Sequence, residues 1–139
     1  GDNGISDMAS KVGANKEQTK SALEGIMPSL LGAMSSNTKS ANGASGLLGA
    51  LDRDHDGSIL DDIGGFINQD EHEDGGKILS HVLGDKQSNV EESLSMKTGM
   101  GGSQVNKLMK MAAPLLMGLL GKEKRNSASS GGFDLGGLS

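Results

Sequence analysis

Five aspartates lie within eleven residues of this chain, in the stretch DRDHDGSILDD from Asp52 to Asp62. The first three alternate along the chain, as in calcium loops whose alternate side chains converge on one hard cation. The sequence therefore predicts a Ca²⁺ site whose ligands are Asp52, Asp54, Asp56, the backbone carbonyl of Ser58, and Asp61. Asp62 is the alternative to Asp61 as the ligand that closes the site.

The end of this loop departs from the EF-hand pattern. Gly57 at the sixth position permits the positive-φ turn around the ion, as in an EF-hand. The twelfth position, where an EF-hand has a bidentate Glu, is Ile63, which has no ligand atom in its side chain. We therefore expect a short calcium loop of modest affinity. The alternative is a solvated acidic turn, but five neighbouring carboxylates would repel one another without a cation.

The composition predicts one all-helical domain. The chain has 139 residues, of which 34% are hydrophobic, and its only aromatic residues are Phe66 and Phe133. An aliphatic core with eight methionines favours helices, because β-branched and aromatic strand formers are scarce. Apolar residues recur at helical spacing in about six or seven short segments. We expect no sheet.

Several classes of function are disfavoured by composition and charge. The chain has no cysteine, so disulfides, thiol catalysis and thiolate metal sites are excluded. A net charge of −5 gives no electrostatic basis for binding nucleic acid. No apolar run reaches the roughly 18 residues that a membrane span needs. The first residues lack the basic-then-apolar order of a signal peptide, which favours a cytoplasmic location.

Local signals predict where individual helices begin and end. The first helix is expected to end at Gly13, and Asn15 with Gln18 predicts a capping box for the second. Pro28 should kink that second helix near Gly25 or divide it, because proline removes a backbone donor.

Further starts and connections follow later in the chain. Helix starts are predicted at Ser88, through a capping box with Glu91, and at Ser103. The polar run after Met34 is predicted to be a flexible linker, and short helices over 47–51 and 59–67 should flank the Asp loop.

Two charged or polar stretches are predicted to contribute no core. Residues 68–77, NQDEHEDGGK, offer His72 among four carboxylates. These residue types are metal ligands, which makes a second metal site the alternative. A solvated acidic surface is favoured, because consecutive side chains cannot all face one ion. Residues 122–139 are rich in Ser and Gly and lack periodicity, so we expect a disordered tail after a helical domain of residues 1–121.

Two parts of the chain resemble each other. Residues 8–23 align with residues 79–94 at an offset of 71, which pairs Gly13 with Gly84. At an offset of 86, the pattern of Pro28 matches that of Pro114, each beginning a Pro-x-Leu-x-Gly motif. This predicts two pseudo-repeated helical units, about residues 4–34 and 77–120, joined through the Asp loop, with fifteen extra residues in the second. The alternative is two unrelated amphipathic segments.

Four segments together suggest a family. The pattern LxxDxDGSxxDDI follows GLLGALD and precedes ILSHVLGDKQSNVEESL and APLLMGLLG. This combination resembles the bacterial domain-of-unknown-function family 937 and covers nearly the whole chain to Gly121. The first half is also similar to the related YidB-like proteins. The resemblance implies an all-helical bacterial domain and assigns no activity.

Two classes of function remain open. The favoured one is a macromolecule-binding or scaffolding domain whose bound calcium supports its shape, with a protein as partner. In this interpretation most of Met27, Met34, Met109, Met111 and Met117 should fill gaps in the core, and some of them should be exposed for contact. The alternative is a metal-dependent enzyme that uses the Asp loop as its active site, which would require an open coordination position beside a substrate pocket.

Overall fold

The computed structural model describes residues 2–37 and 58–129, and every regular element in these ranges is helical. Six α-helices and two short 3₁₀ segments follow one another along the chain. They are α1 (Asp2–Val12), α2 (Lys16–Asn37), a 3₁₀ turn (Ser58–Asp62), α3 (Ile63–Ile67), α4 (Glu73–Val82), a second 3₁₀ turn (Gly84–Lys86), α5 (Gln87–Thr98) and α6 (Gly102–Ser129). The all-helical prediction is confirmed for this part of the chain.

The long helix α6 lies at the centre of the domain. It packs against α1, α2, α4, α5 and the 3₁₀ turn Ser58–Asp62. Its apolar face is aliphatic and methionine-rich, and Val105, Leu108 and Met109 are completely buried there. They meet Ile26 and Leu30 of α2 in one continuous core. Within the described residues, no helix is long and apolar enough to cross a membrane.

The first two helix boundaries are those that local chemistry predicts. Helix α1 ends before Gly13, whose φ of 78° is left-handed. The amide of Gln18 donates to Asn15 Oδ1 at 2.7 Å, and the amide of Asn15 donates to Gln18 Oε1 at 3.2 Å. This reciprocal pair is the predicted capping box, so both signals are confirmed.

Helix α2 does not restart at its proline. It runs without interruption from Lys16 to Asn37, across Pro28. Pro28 removes only one backbone hydrogen bond. Ile26 and Leu30, before and after the proline, are fully buried and hold both halves of the helix against the core. The hydroxyl of Ser29 donates to the Gly25 carbonyl at 2.8 Å in the same turn. Of the two alternatives for Pro28, the division into separate segments was therefore wrong, and the kink near Gly25 stays a prediction.

The later helix starts also differ from prediction. Helix α5 begins at Gln87, one residue before Ser88, and no side chain caps it. Helix α6 begins at Gly102, so Ser103 lies inside the first turn. The capping side chain is Gln104, whose Oε1 accepts from the Gly101 amide at 2.8 Å. The side chain of Gln104 is long enough to reach a second helix as well.

Two glutamines connect the ends of helices in a reciprocal arrangement. Gln104 Nε2, at the start of α6, donates to the carbonyls of Val12 and Gly13 at the end of α1, at 3.2 and 2.8 Å. Gln18 Nε2, at the start of α2, donates to the carbonyl of Thr98 at the end of α5, at 3.4 Å. Each glutamine therefore caps the start of its own helix and the end of another helix. Gln104 connects α6 to the end of α1, and Gln18 connects α2 to the end of α5.

We expect the two glutamines to differ in their effect on stability. Gln104→Glu keeps the capping acceptor but places a carboxylate against two carbonyls, so it should lower the free energy of unfolding by about 2 kcal/mol. Gln18→Glu loses one longer hydrogen bond and should cost about 1 kcal/mol or less. Urea unfolding of both variants measures the difference. Equal losses, or a larger loss for Gln18→Glu, would contradict the geometry.

Some predicted features lie outside the described residues. These are the predicted linker from residue 38 onward, the short helix over 47–51, and the first part of the Asp loop, residues 52–57. Residues 35–37, which were also predicted to belong to the linker, lie in α2, so that part of the prediction was wrong. Helix α6 continues to Ser129, and residues 130–139 are also outside the described part. The boundary at residue 121 and the disordered tail therefore stay predictions.

Candidate functional site

The end of the Asp loop forms the 3₁₀ turn Ser58–Asp62 and leads directly into α3. Asp61 and Asp62 are both exposed. Asp62 Oδ1 accepts the backbone N–H of Gly65 at 3.0 Å, so this aspartate is the N-cap of α3. One of its oxygens therefore already has a structural partner, which favours Asp61 as the ligand of the two.

The predicted calcium ligands are only partly within the described structure. Asp52, Asp54 and Asp56 lie outside it, whereas Ser58, Asp61 and Asp62 lie at its edge. Among residues 2–37 and 58–129, no three His, Asp or Glu side chains come together in an arrangement that could hold a metal ion. The complete ligand set stays a prediction that needs the remaining loop.

A large groove opens on the side of the domain where α4 crosses α6. Its volume is about 1280 Å³, and it is bordered by α4, the stretch 70–72, the start of α5, one residue of α1, and α6. We call it the lysine groove, after its four basic side chains, Lys11, Lys77, Lys107 and Lys110. Its acidic side chains lie at one end, in the consecutive stretch around His72; they are Asp70, Glu71 and Glu73.

The groove owes its shape to two adjacent glycines of α4. Gly75 is buried against the backbone of Lys110, and a β-carbon there would overlap the Lys110 carbonyl and lie 2.8 Å from its Cα. Gly76, the next residue, lines the groove, where a β-carbon would lie 3.8 Å from Lys110 Cε. Gly75 thus brings the two helices together, whereas Gly76 leaves space between them.

One basic side chain of the groove is paired, and it holds the acidic stretch in place. Lys11 Nζ donates to the Asn68 carbonyl at 3.2 Å and lies 3.7 Å from Asp70 Oδ1. Asp70 is fully exposed, so the ion pair itself contributes little stability. The contact nevertheless attaches the 68–70 turn to α1 and so fixes one end of the groove.

His72 has a structural role at the same end. Its Nε2 lies 2.9 Å from the Phe66 carbonyl, and because a carbonyl only accepts, the ring carries its proton on Nε2. The imidazole also meets the Phe66 ring edge-on, with centroids 4.8 Å apart. His72 therefore connects α3 to the start of α4 through these contacts.

Two amides at the other end of the groove are fixed by one carboxylate. Glu91 Oε2 accepts from Gln87 Nε2 at 3.0 Å and from Asn106 Nδ2 at 2.6 Å. Gln87 and Asn106 both line the groove. Because Glu91 is held by both, this end of the groove is a rigid contact between α5 and α6.

Most of the five methionines considered above fill the core, as we expected, but none of them is exposed as the expected contact residues would be. Met34, Met109, Met111 and Met117 are buried in the core, and Met27 is half-buried. Their flexible side chains fill gaps between helices that contain no aromatic residue to do so. The highly exposed methionine is Met96, at 80% of its full surface. Among the described residues, the lysine groove is therefore the stronger candidate for a functional site.

The groove lysines were not recognisable as a group from the sequence. Lys107 and Lys110 are one turn apart on a helix, which is a weak signal because such lysines usually mark a solvated face. Lys77 is about thirty residues away. The only local hint was the pair Gly75-Gly76 in a helix, since glycine there costs stability unless close packing requires it.

The described structure is thus an all-helical domain with a charged groove, and residues 58–62 of the Asp-rich stretch form a 3₁₀ turn that packs on α6. The family model described as "Bacterial protein of unknown function (DUF937)" matches residues 1–123. The chain belongs to this family, which confirms the resemblance noted in the segments around the Asp loop. Comparison with curated proteins gave no match, and neither did comparison with solved structures.

Proposed function

We propose that this chain is a non-catalytic binding module that recognises another protein through the lysine groove. The observation that supports this proposal is the size and lining of the groove. Its volume of about 1280 Å³ exceeds the roughly 300–1,000 Å³ of typical small-molecule pockets. The described hydrogen bonds of His72, Gln87 and Asn106 fix elements of the fold, which suits a preformed docking surface.

We further propose that calcium bound by Asp52, Asp54, Asp56, Ser58 and Asp61 supports the shape of this surface. The 3₁₀ turn Ser58–Asp62 packs on α6, the helix that carries Lys107 and Lys110. Ordering of the loop by a cation would therefore favour one position of α6 relative to its neighbours. Aspartates that saturate a hard ion leave it no acidic water for catalysis, unlike an open zinc site.

The helical scaffold is proposed to be a duplication, related by a single offset of 86 residues. At this offset α1 corresponds to residues 88–98 of α5, and α2 corresponds to α6. Gly13 and Gly99 then pair with φ angles of 78° and 79°, and Gln18 pairs with Gln104. Pro28 and Pro114 are equivalent in this alignment, which therefore needs no fifteen-residue insertion. The reciprocal glutamine contacts support the proposal.

The proposed function is tested by affinity capture from a bacterial lysate. We expect a partner protein to be recovered in the presence of calcium. A chelator should lower the recovered amount about fivefold or more, because it shifts the chain away from the conformation that binds the partner. Asp54→Ala should give the same loss in the presence of calcium, and His55→Ala should not. The recovered protein is then purified and titrated directly.

The outcomes separate the two parts of the proposal. Equal recovery by all variants, with and without chelator, would remove calcium from the mechanism. If the wild-type chain retains no protein above a heat-denatured control, the binding function is rejected.

A further inference from the structure

Three lysines of the groove have no partner in the described part of the chain. No carboxylate of these residues pairs with Lys77, Lys107 or Lys110, whereas Lys11 pairs with Asp70. Lys107 and Lys110 are i, i+3 neighbours on α6, and like charges at this spacing destabilise a helix slightly. The cluster therefore costs the fold a little stability, which a bound external anion would offset.

The three lysines belong to the same part of the groove. Lys110 Cε lies over the position where a Gly76 side chain would begin, at 3.8 Å from an ideal β-carbon. Lys77 follows Gly76 directly on α4, and Lys107 lies one turn before Lys110 on α6. Because Gly76 has no side chain, the charged ends from both helices border one open space.

The charges around this space limit what kind of anion it can bind. The whole chain carries −5, so a long polyanion such as a nucleic acid would be repelled beyond the groove. Asp70, Glu71 and Glu73 close one end of the groove with negative charge. A short run of anionic groups fits between these boundaries. The groove contains lysine and no arginine, which suits flexible point-charge contacts over bidentate recognition of a single group.

We propose that the lysine groove binds a short acidic segment of a protein partner, with its carboxylates placed between Lys77 of α4 and Lys107 and Lys110 of α6. This inference rests on the proposed function and names its partner class. Residues of the opposite charge in the partner would follow the acidic run and face Glu71 and Glu73. Such charge complementarity fixes the direction of a bound peptide and rejects wrong partners.

The test uses the full chain, labelled with ¹⁵N, and hexaglutamate as the probe. We expect titration at low salt to shift the backbone amides of residues 76–81 and 106–111, with much smaller shifts elsewhere. Raising the salt from about 20 to 200 mM should weaken binding, because it shortens the Debye length from about 20 Å to about 7 Å.

Two matched double variants decide whether the groove is the site. Lys77→Gln/Lys107→Gln removes two exposed groove lysines, and Lys20→Gln/Lys97→Gln removes two exposed lysines outside it. Both change the net charge from −5 to −7, because two positive charges are lost. We expect the groove variant to weaken hexaglutamate binding about tenfold and the control variant less than twofold. Equal weakening in both, or no binding by the wild-type chain, would overturn the proposal.

Competing probes and the capture experiment separate the remaining outcomes. If inorganic phosphate or a uridine hexanucleotide binds more tightly than hexaglutamate, the groove prefers another anion, and the proposal of an acidic protein segment is overturned. If the Lys77→Gln/Lys107→Gln variant still captures the same protein as the wild-type chain, the acidic-segment inference and recognition through the lysine groove both fail, and only protein binding at another surface stands. If hexaglutamate binds in the groove but no protein is captured, the groove binds carboxylates and the proposed protein partner is rejected.

Discussion

Replacing Gly75 by alanine should lower the free energy of unfolding by about 3 kcal/mol, because it overpacks a helix contact. The new β-carbon would overlap the backbone carbonyl of Lys110, and a backbone cannot move aside as the end of a side chain can. Helix α4 would have to separate from α6 and thereby expose Leu79, which is fully buried. A loss of this size corresponds to a decrease of about 10 °C in melting temperature.

Gly76→Ala is the matched control for this prediction. The same methyl group is added one residue later in the same helix, where the nearest atom, Lys110 Cε, is in ordinary contact. Alanine has the higher helix propensity, so this variant should be more stable by about 0.5–1 kcal/mol. Thermal unfolding followed by circular dichroism measures both variants. If both lose stability equally, the close approach at Gly75 is not what holds α4 to α6.

Calcium should stabilise the chain, and Asp56→Ala should abolish that effect. A ligand that binds only the folded state at one hundred times its dissociation constant adds about 2.7 kcal/mol. Asp56 is the third alternating carboxylate of the predicted loop, whereas the side chain of His55, between Asp54 and Asp56, would face away from the ion. His55→Ala should therefore retain the stabilisation.

Calorimetry and thermal unfolding with and without calcium provide the measurement. Absence of both binding heat and a shift in melting temperature at millimolar calcium would contradict the predicted site. Magnesium is a useful comparison, because it demands a smaller octahedral shell and should bind this aspartate-rich loop less well.

The features that could be predicted from sequence are those decided within one helical turn. Gly13 ends a helix because glycine tolerates a left-handed φ, and Asn15 with Gln18 caps the next because the two side chains are three residues apart. Both depend on local chemistry alone. The helical fold class follows in the same way from the scarcity of strand-forming residues.

The features that could not be predicted depend on contacts between distant residues. The start of α6 is capped by Gln104 and not by the expected Ser103, and the same side chain also reaches Val12 and Gly13, about ninety positions earlier. Pro28 stays inside a helix because the core on both sides outweighs one missing donor. The lysine groove exists only because Gly75 lets two helices touch. Apart from the Gly75-Gly76 pair, none of these contacts has a signature at short range in the sequence.

The two glutamines also have a consequence for the order in which the domain can open. The last turn of α1 is completed by a side chain of α6, and the last turn of α5 by a side chain of α2. Opening of α1 and α2 therefore removes the Gln18 donor from α5, and opening of α5 and α6 removes the Gln104 donor from α1. Local opening of one of these helix pairs thus lowers the hydrogen-exchange protection of both. The described domain should behave as one cooperative unit in hydrogen exchange, with no half that persists alone.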